Sequence, residues 1–378
     1  MTRIRAELLQ HYYDQHGTPL RTALVARLAQ IEELGRIIRP LYNLTARWKP
    51  TANIIKRVVK FAPERNIPQL SRKTMRQLVG EKRKEEKREK ILGNRVKGKV
   101  LLYADEFTNQ QEAELGQTFA KLLMRLGYEV EIPNLLESGR AAISKGCLKR
   151  AKRIATENVK RLSTIFNSQI PSISQIPQKS QTIDSGAHLE RAVGEDSTFN
   201  LVGIEPSAIL TFRDEYPDLV PADMRSTAIE LSKHCLLYDE FLKHEMDEGR
   251  ITAKDFKDDE MEIWLHGHCH QKALEGIENT VKAFSLLRGA KVHVIPSGCC
   301  GMAGSFGYEK EHYKTSLAIG EMVLFPAIRK IHNAQFIIHN DGKPTFVAAP
   351  GTSCRQQILD GTGVRAVHPI EILYQYLS

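Results

Sequence analysis

The sequence predicts an α/β protein of two tandem parallel-sheet, Rossmann-like units preceded by a helical N-terminal segment. Three observations predict it. Strand-like runs alternate with amphipathic helical runs from residue 99 onward, which argues for a mostly parallel sheet covered on its faces. The order of elements in 99–220 recurs in 262–378, and duplication at that scale is an architectural signal. Before residue 70 the periodicity is purely helical.

In order along the chain, LLQHYY, ALVARLAQIEELGRIIRPLYNL and ANIIKRVVKFA read as helices. Pro40, Pro50 and Pro63 divide them, so the spacing predicts several docked helices rather than one rod. A charged stretch that includes RKTMRQLVGEKRKEEKREK (72–90) follows; its mixed signs read as a solvated helix. The first segment, helices plus linker, is placed at 1–98. KVLLYADEF is then a buried strand, Glu112–Leu126 an amphipathic helix ending at Gly127, YEVEI a strand and CLKRAKRIATENVKRL a helix. Residues 163–200 break the rhythm. SQIPSISQIPQKSQTIDSG lacks periodicity and reads as a flexible, removable insertion. LVGI resumes the first unit, which closes near 220, and 221–261 reads as a helical connector. The second unit occupies 262–378. In it MEIWLHGHC echoes KVLLYADEF, a helix over Lys272–Leu287 ends near Gly289, and AKVHVIP matches YEVEIP.

Composition limits the function classes. Hydrophobic residues at 42% and charged residues at 26% describe a soluble globular chain with enough length to bury a sizeable core. The absence of a long apolar run and of a signal-like start predicts a cytoplasmic protein without transmembrane segments. The net charge of +9 invites a nucleic-acid reading, but no helix-turn-helix, zinc-finger spacing or aromatic RNA-binding motif supports one. Six cysteines are too few for a disulfide framework here, so clustered thiols point to metal or redox chemistry.

Cys269 ends the first strand of the second unit, Cys299 and Cys300 follow its second strand, and Cys354 follows a later one. Loops beyond the carboxyl ends of parallel strands converge on one edge, where ligands bind. Four thiolates on that edge suit a tetrahedral zinc site or an iron–sulfur cluster, since soft sulfur selects such metals over magnesium or calcium. Gly298, Gly301 and Gly304 permit the tight turns that adjacent cysteines need. A strained vicinal disulfide, or plain packing, are the competing readings of Cys299–Cys300. His266, His268 and His270 flank Cys269 as candidate ligands or as donors to sulfur. In the first unit the matching positions are Glu106, Glu137, Ser138 and Ala208, and none is a thiol. Cys147 and Cys235 read as buried structural cysteines, each on a helix.

The run HGHCHQKAL…PSGCCGMAGSFGYE…APGTSCRQQI resembles the CCG cysteine-rich domain. That domain occurs in the cysteine-rich subunit of heterodisulfide reductase, in the anaerobic glycerol-3-phosphate dehydrogenase iron–sulfur subunit, and in iron–sulfur components of glycolate and lactate oxidation. The whole chain is most similar to the C-terminal region of FAD-linked oxidase fusions, with the first unit resembling a CCG domain whose cysteines are lost. The resemblance implies two CCG-type units and an iron–sulfur cluster, most simply 4Fe–4S with zinc as the alternative, held by Cys269, Cys299, Cys300 and Cys354. It implies an electron-transfer component of a flavin-linked dehydrogenase of 2-hydroxy acids, glycolate or lactate. Its partners would be a flavin-containing dehydrogenase subunit and a ferredoxin-like iron–sulfur domain, with FAD on a partner or a missing upstream domain. The chain departs from the pattern at Gly351, where the first cysteine of a CxxC would stand, and it shows no flavin domain or hydride-transfer catalyst. The alternatives are a zinc-stabilised interaction module or a non-functional C-terminal fragment.

Overall fold

The computed structural model describes residues 2–89, 96–169, 200–337 and 343–378. Helices Thr2–His16, Leu20–Val25, Leu28–Ile37, Arg39–Arg47 and Lys49–Val58 form the N-terminal layer. Pro40 and Pro50 lie in the first turns of the last two, where a missing N–H costs nothing. Helix Met75–Glu89 carries the charged run.

Two parallel sheets follow. The first contains β1 (Gly98–Leu102), β2 (Tyr128–Glu131), β3 (Leu201–Gly203) and β4 (Cys235–Leu237), in the order β2-β1-β3-β4. The second contains β5 (Met261–Leu265), β6 (Ala290–Val294) and β7 (Thr345–Ala348), in the order β6-β5-β7. The order repeats: each unit's first strand is central, flanked by its second and third. The registers correspond, with Gly98 opposite Tyr128 and Met261 opposite Ala290. A parallel bridge from Ala348 to Val367 stands in the second sheet where β4 stands in the first.

Some sequence expectations are corrected. The connector 221–261 is not purely helical, because it supplies β4, a three-residue strand too short to show periodicity. Cys235 therefore opens a strand rather than sitting on a helix. Cys147 lies just ahead of helix Leu148–Gln169, not within one. The helix expected over Lys272–Leu287 divides into Cys269–Leu274 and Glu278–Phe284, with Gly276 at φ +76° between them. Residues 163–169 of the expected insertion continue helix Leu148–Gln169, and 170–199 lie outside the described residues.

The core explains why the two units form one body. Val100, Leu102, Val130 and Val202 of the first sheet pack in one buried cluster with Met261, Ile263, Leu265 and Ala348 of the second. Each unit's final helix crosses over: Tyr238–Asp247 packs on Glu278–Phe284, and Pro369–Gln375 packs on Ala113–Arg125. Burying each large apolar side chain there stabilises the pair by roughly 1.5–3 kcal/mol. The opposite face of each sheet has its own core, one containing Leu101, Tyr103 and Leu201, the other containing Ile295, Cys300 and Cys354. Arg65 ties the N-terminal layer to the second unit. It is buried, and its guanidinium donates to Gly307 O at 2.8 Å, Gln357 Oε1 at 2.6 Å and Asp360 at 2.5 Å.

Candidate metal centre

Alternation along β5 decides which side chains reach the site. Met261, Ile263 and Leu265 enter the shared core, so Trp264 faces the other core and the next residue on that side is His266. The His266 N–H donates to Ala348 O at 2.8 Å, which continues the ladder one residue past the strand and fixes that orientation. Helix Cys269–Leu274 begins at once, capped by His268, whose Nδ1 accepts from the His270 N–H at 3.2 Å. After β6 the loop carrying Cys299 and Cys300 is held by Lys272, whose Nζ donates to Ser297 O at 2.5 Å and Gly298 O at 2.6 Å. Gly301 turns that loop at φ +93°, and a Cβ there would collide with the Ser316 carbonyl. Cys354 sits in the first turn of helix Thr352–Thr362. Its loop is braced by Arg355, which donates to Ala349 O at 2.9 Å, Pro350 O at 2.6 Å and Glu112 at 2.5 Å. Glu205 adds a second brace from the first unit, accepting from the Thr352 N–H at 2.8 Å.

The four cysteines singled out by the sequence come together in a file at the carboxyl edge of the second sheet. Cys269 is exposed, Cys299 is half-buried, and Cys300 and Cys354 are buried at 3% and 1% exposure. At the inner end His266 is wholly buried; its ligating nitrogen and the sulfurs of Cys300 and Cys354 all lie within 4.8 Å of one another. Charge alternates along the file. Hydrogen bonding to Cys299 pushes the Cys269 thiol up, and hydrogen bonds to Cys299 and Cys354 together with burial push Cys300 up. Cys299 is held well below the ordinary thiol range by Cys269 and Cys300, with the Gly301 N–H adding a donor at 3.3 Å. Cys354 is likewise held low, first by Cys300 and then by the nearby His266 imidazole. Four sulfurs linked in one file, two of them favoured in the ionised form by their neighbours, are suited to receiving a cation.

His268 takes a place that the sequence did not reveal. A Cβ on Gly351 would lie 2.5 Å from His268 Cδ2 and 3.2 Å from Cys354 Sγ, so the imidazole fills the space that a side chain at 351 would need. The third flanking histidine leaves the site: His270 lies 3.6 Å from Asp214 instead. Arg355, Glu112 and Glu205 also escaped sequence reasoning, because their partners are more than a hundred residues away or in the other unit.

The first unit reproduces the placement without the chemistry. Ser138 donates to Glu106 from its N–H at 2.8 Å and its hydroxyl at 2.6 Å, so the positions matching Cys300 and Cys269 again meet at a sheet edge. Burial raises the pKa of Glu106, and lifts Asp105 to about 8 and Glu137 to about 7. In two other groups of potential ligands the carboxylates pair with cations: Arg3 and Arg140 pair with Asp214 and Glu215, and Arg21 and Lys145 pair with Glu311 and Glu309.

Fold and site together define a duplicated parallel α/β protein with one thiol-rich edge. The chain is similar to dehydrogenases. It is 26% identical to D-2-hydroxyglutarate dehydrogenase of Pantoea ananatis over 99% of its own length and 32% of that protein's. With the Escherichia coli K12 protein of the same name the identity is 24%, over 99% of this chain and 32% of the relative. With one subunit of the anaerobic glycerol-3-phosphate dehydrogenase of E. coli K12 it is 23%, over 97% of this chain and 79% of that relative. The chain therefore spans about a third of the length of the two D-2-hydroxyglutarate dehydrogenases. No family model matches the chain, and no solved structure matches it.

Proposed function

We propose that this chain is an electron-transfer part of a flavin-linked dehydrogenase assembly, holding an iron–sulfur cluster through Cys269, Cys299, Cys300 and Cys354. The observation that carries the reading is the file of four thiols and one buried imidazole gathered from three strand ends. Four sulfurs with no carboxylate among them fit thiolate-bound iron or zinc. A bound cluster would supply one-electron transfer between a flavin and a downstream acceptor. The chain's own residues do the positioning. Arg355 and Glu205 fix the loop of Cys354, Lys272 fixes that of Cys299 and Cys300, Gly301 turns both vicinal thiols inward, and His268 closes the gap beside Gly351.

The relatives support the dehydrogenase setting, and with it a partner or further domain bearing FAD and a ferredoxin-like domain. Helices within 2–58 expose Ile4, Leu8, Leu34, Ile37, Leu41, Leu44, Trp48 and Ile54, an apolar layer suited to docking that flavin-bearing part. Among the described residues no helix is long and apolar enough to cross a membrane. We place the domain division by the repeated strand order: an N-terminal segment 1–98, a unit from 99 without the site thiols, and the cysteine-bearing unit 262–378. A second reading has one observation in its favour. Donors of His266, Cys300 and Cys354 within 4.8 Å also suit a single tetrahedral zinc that only rigidifies the edge.

Anaerobic purification with iron, sulfide and zinc analysis and an EPR spectrum tests both. Iron and sulfide with a reducible EPR signal support the electron-transfer reading. Zinc alone supports the structural one. Cys300→Ser should lose most of the metal, because it removes the sulfur at the middle of the file. Wild-type protein without metal, or Cys300→Ser with undiminished metal, refutes the site.

A further inference from the structure

We propose that His266 is itself a ligand of the metal, binding through Nε2 beside Cys300 and Cys354. The inference rests on the metal-site reading above and adds a nitrogen donor to a set otherwise made of sulfur.

His266 is fully buried, and its Nε2 makes no conventional hydrogen bond; the polar group it faces is the Cys354 sulfur. A buried polar atom left without a partner costs about 1–3 kcal/mol, so such an atom in a well-built core calls for a ligand. This one is aimed at the sulfurs of Cys300 and Cys354, with all three donor atoms within 4.8 Å. Sulfur–metal bonds of about 2.3 Å and nitrogen–metal bonds of about 2.0–2.1 Å place the donors of a tetrahedral site roughly 3.5–3.8 Å apart, so closing these three by about an ångström or less lets one metal reach them all.

The other ring nitrogen fixes the tautomer. His266 Nδ1 lies 2.7 Å from Ser297 Oγ, and the Ser297 hydroxyl donates to Ile295 O at 3.4 Å. In the ligand tautomer proposed here the Ser297 oxygen accepts from Nδ1–H while its own proton points to Ile295 O. Nε2 is then left with its lone pair free. Ligating histidines are oriented in this way, by a hydrogen bond from the far nitrogen to an oxygen acceptor. The surrounding loop is held for the purpose, since Lys272 binds Ser297 O and Gly298 O. Binding leaves the imidazole neutral, while protons displaced from the thiols pass to solvent.

His268 does not compete for this role. Its Nδ1 is spent on the His270 N–H, and its ring packs against Gly351.

The test uses the whole chain reconstituted with ferrous iron and sulfide in one arm and with zinc alone in the other. In the zinc arm, X-ray absorption at the zinc edge should show one nitrogen scatterer at about 2.0–2.1 Å. In the reduced iron sample, pulsed EPR should show a nitrogen coupling that shifts when histidine is supplied with 15N. The variant His266→Cys should keep the metal and lose both nitrogen signatures. In His266→Ala the metal content should fall several-fold, with far-UV circular dichroism checking the fold. An all-sulfur coordination shell in wild-type protein that binds metal overturns this inference and leaves the site reading intact. So does His266→Cys with its nitrogen coupling unchanged. A wild-type chain that takes up neither iron nor zinc overturns both.

Discussion

Replacing Gly351 by alanine probes whether His268 fills the space that a side chain at 351 would need. The backbone there is at φ −79° and ψ 133°, which alanine adopts without strain. The new methyl would lie 2.5 Å from His268 Cδ2, 3.3 Å from its Nε2 and 3.2 Å from Cys354 Sγ. Overpacking of that kind costs about 1–3 kcal/mol. Gly351 also caps helix Thr352–Thr362, where alanine adds roughly 0.5–1 kcal/mol. His268→Ala removes the acceptor of the His270 N–H. Losing that cap should cost about 1–2 kcal/mol. In the double variant both capping losses remain while the collision disappears. The two changes should therefore fall short of additivity by about 1–2 kcal/mol. Urea unfolding of the four proteins, reduced and with chelator, measures this, and the midpoint should move at unchanged m-value. Gly298→Ala serves as control, because its Cβ meets nothing within 4 Å. It should cost less than about 0.5 kcal/mol. Additivity of Gly351→Ala and His268→Ala to within about 0.5 kcal/mol would refute the reasoning.

Two further outcomes concern stability. In Arg65→Ala, Asp360, Gln357 and Gly307 O would be left buried without their cation. The chain should lose about 3–5 kcal/mol in urea unfolding, and a loss under about 1 kcal/mol would show that the N-terminal layer is not anchored there. Burial raises the carboxyls of Glu32 and Asp105 to about 8 and of Glu137 and Asp239 to about 7. Between about pH 4 and pH 7–8 each keeps a proton in the folded chain that the unfolded chain has lost, so stability should fall as pH rises through that window. Asp239→Asn should flatten the fall by on the order of 2–4 kcal/mol, and a slope unchanged by it would exclude Asp239 as a source.

Much of the fold was legible because its signals are local. Alternating apolar residues announced β1, β5 and β6, and Gly127 and Gly289 marked the same turn in each unit. β4 was not legible, since three residues carry no period; its pairing with β3 makes it a strand. Nor was the break at Gly276, where a positive φ interrupts an otherwise continuous helical pattern.

The sequence by itself determined which residue types reach the site, because thiols placed just after parallel strands must emerge at one edge whatever the packing. It determined the duplication as well, since both copies keep their spacing even where one has exchanged cysteine for Glu106, Glu137 and Ser138. Only the tertiary structure decided the division of labour among His266, His268 and His270. One strand end offers all three to the site, and they part because β5 pleating buries His266, the cap claims His268 Nδ1, and Asp214 draws His270 away. It also decided that the first unit supports the other's loop, because Glu112 and Glu205 meet Arg355 and Thr352 only once the two sheets share a core. Such contacts depend on distances between chain segments far apart in sequence, and no periodicity or spacing records them.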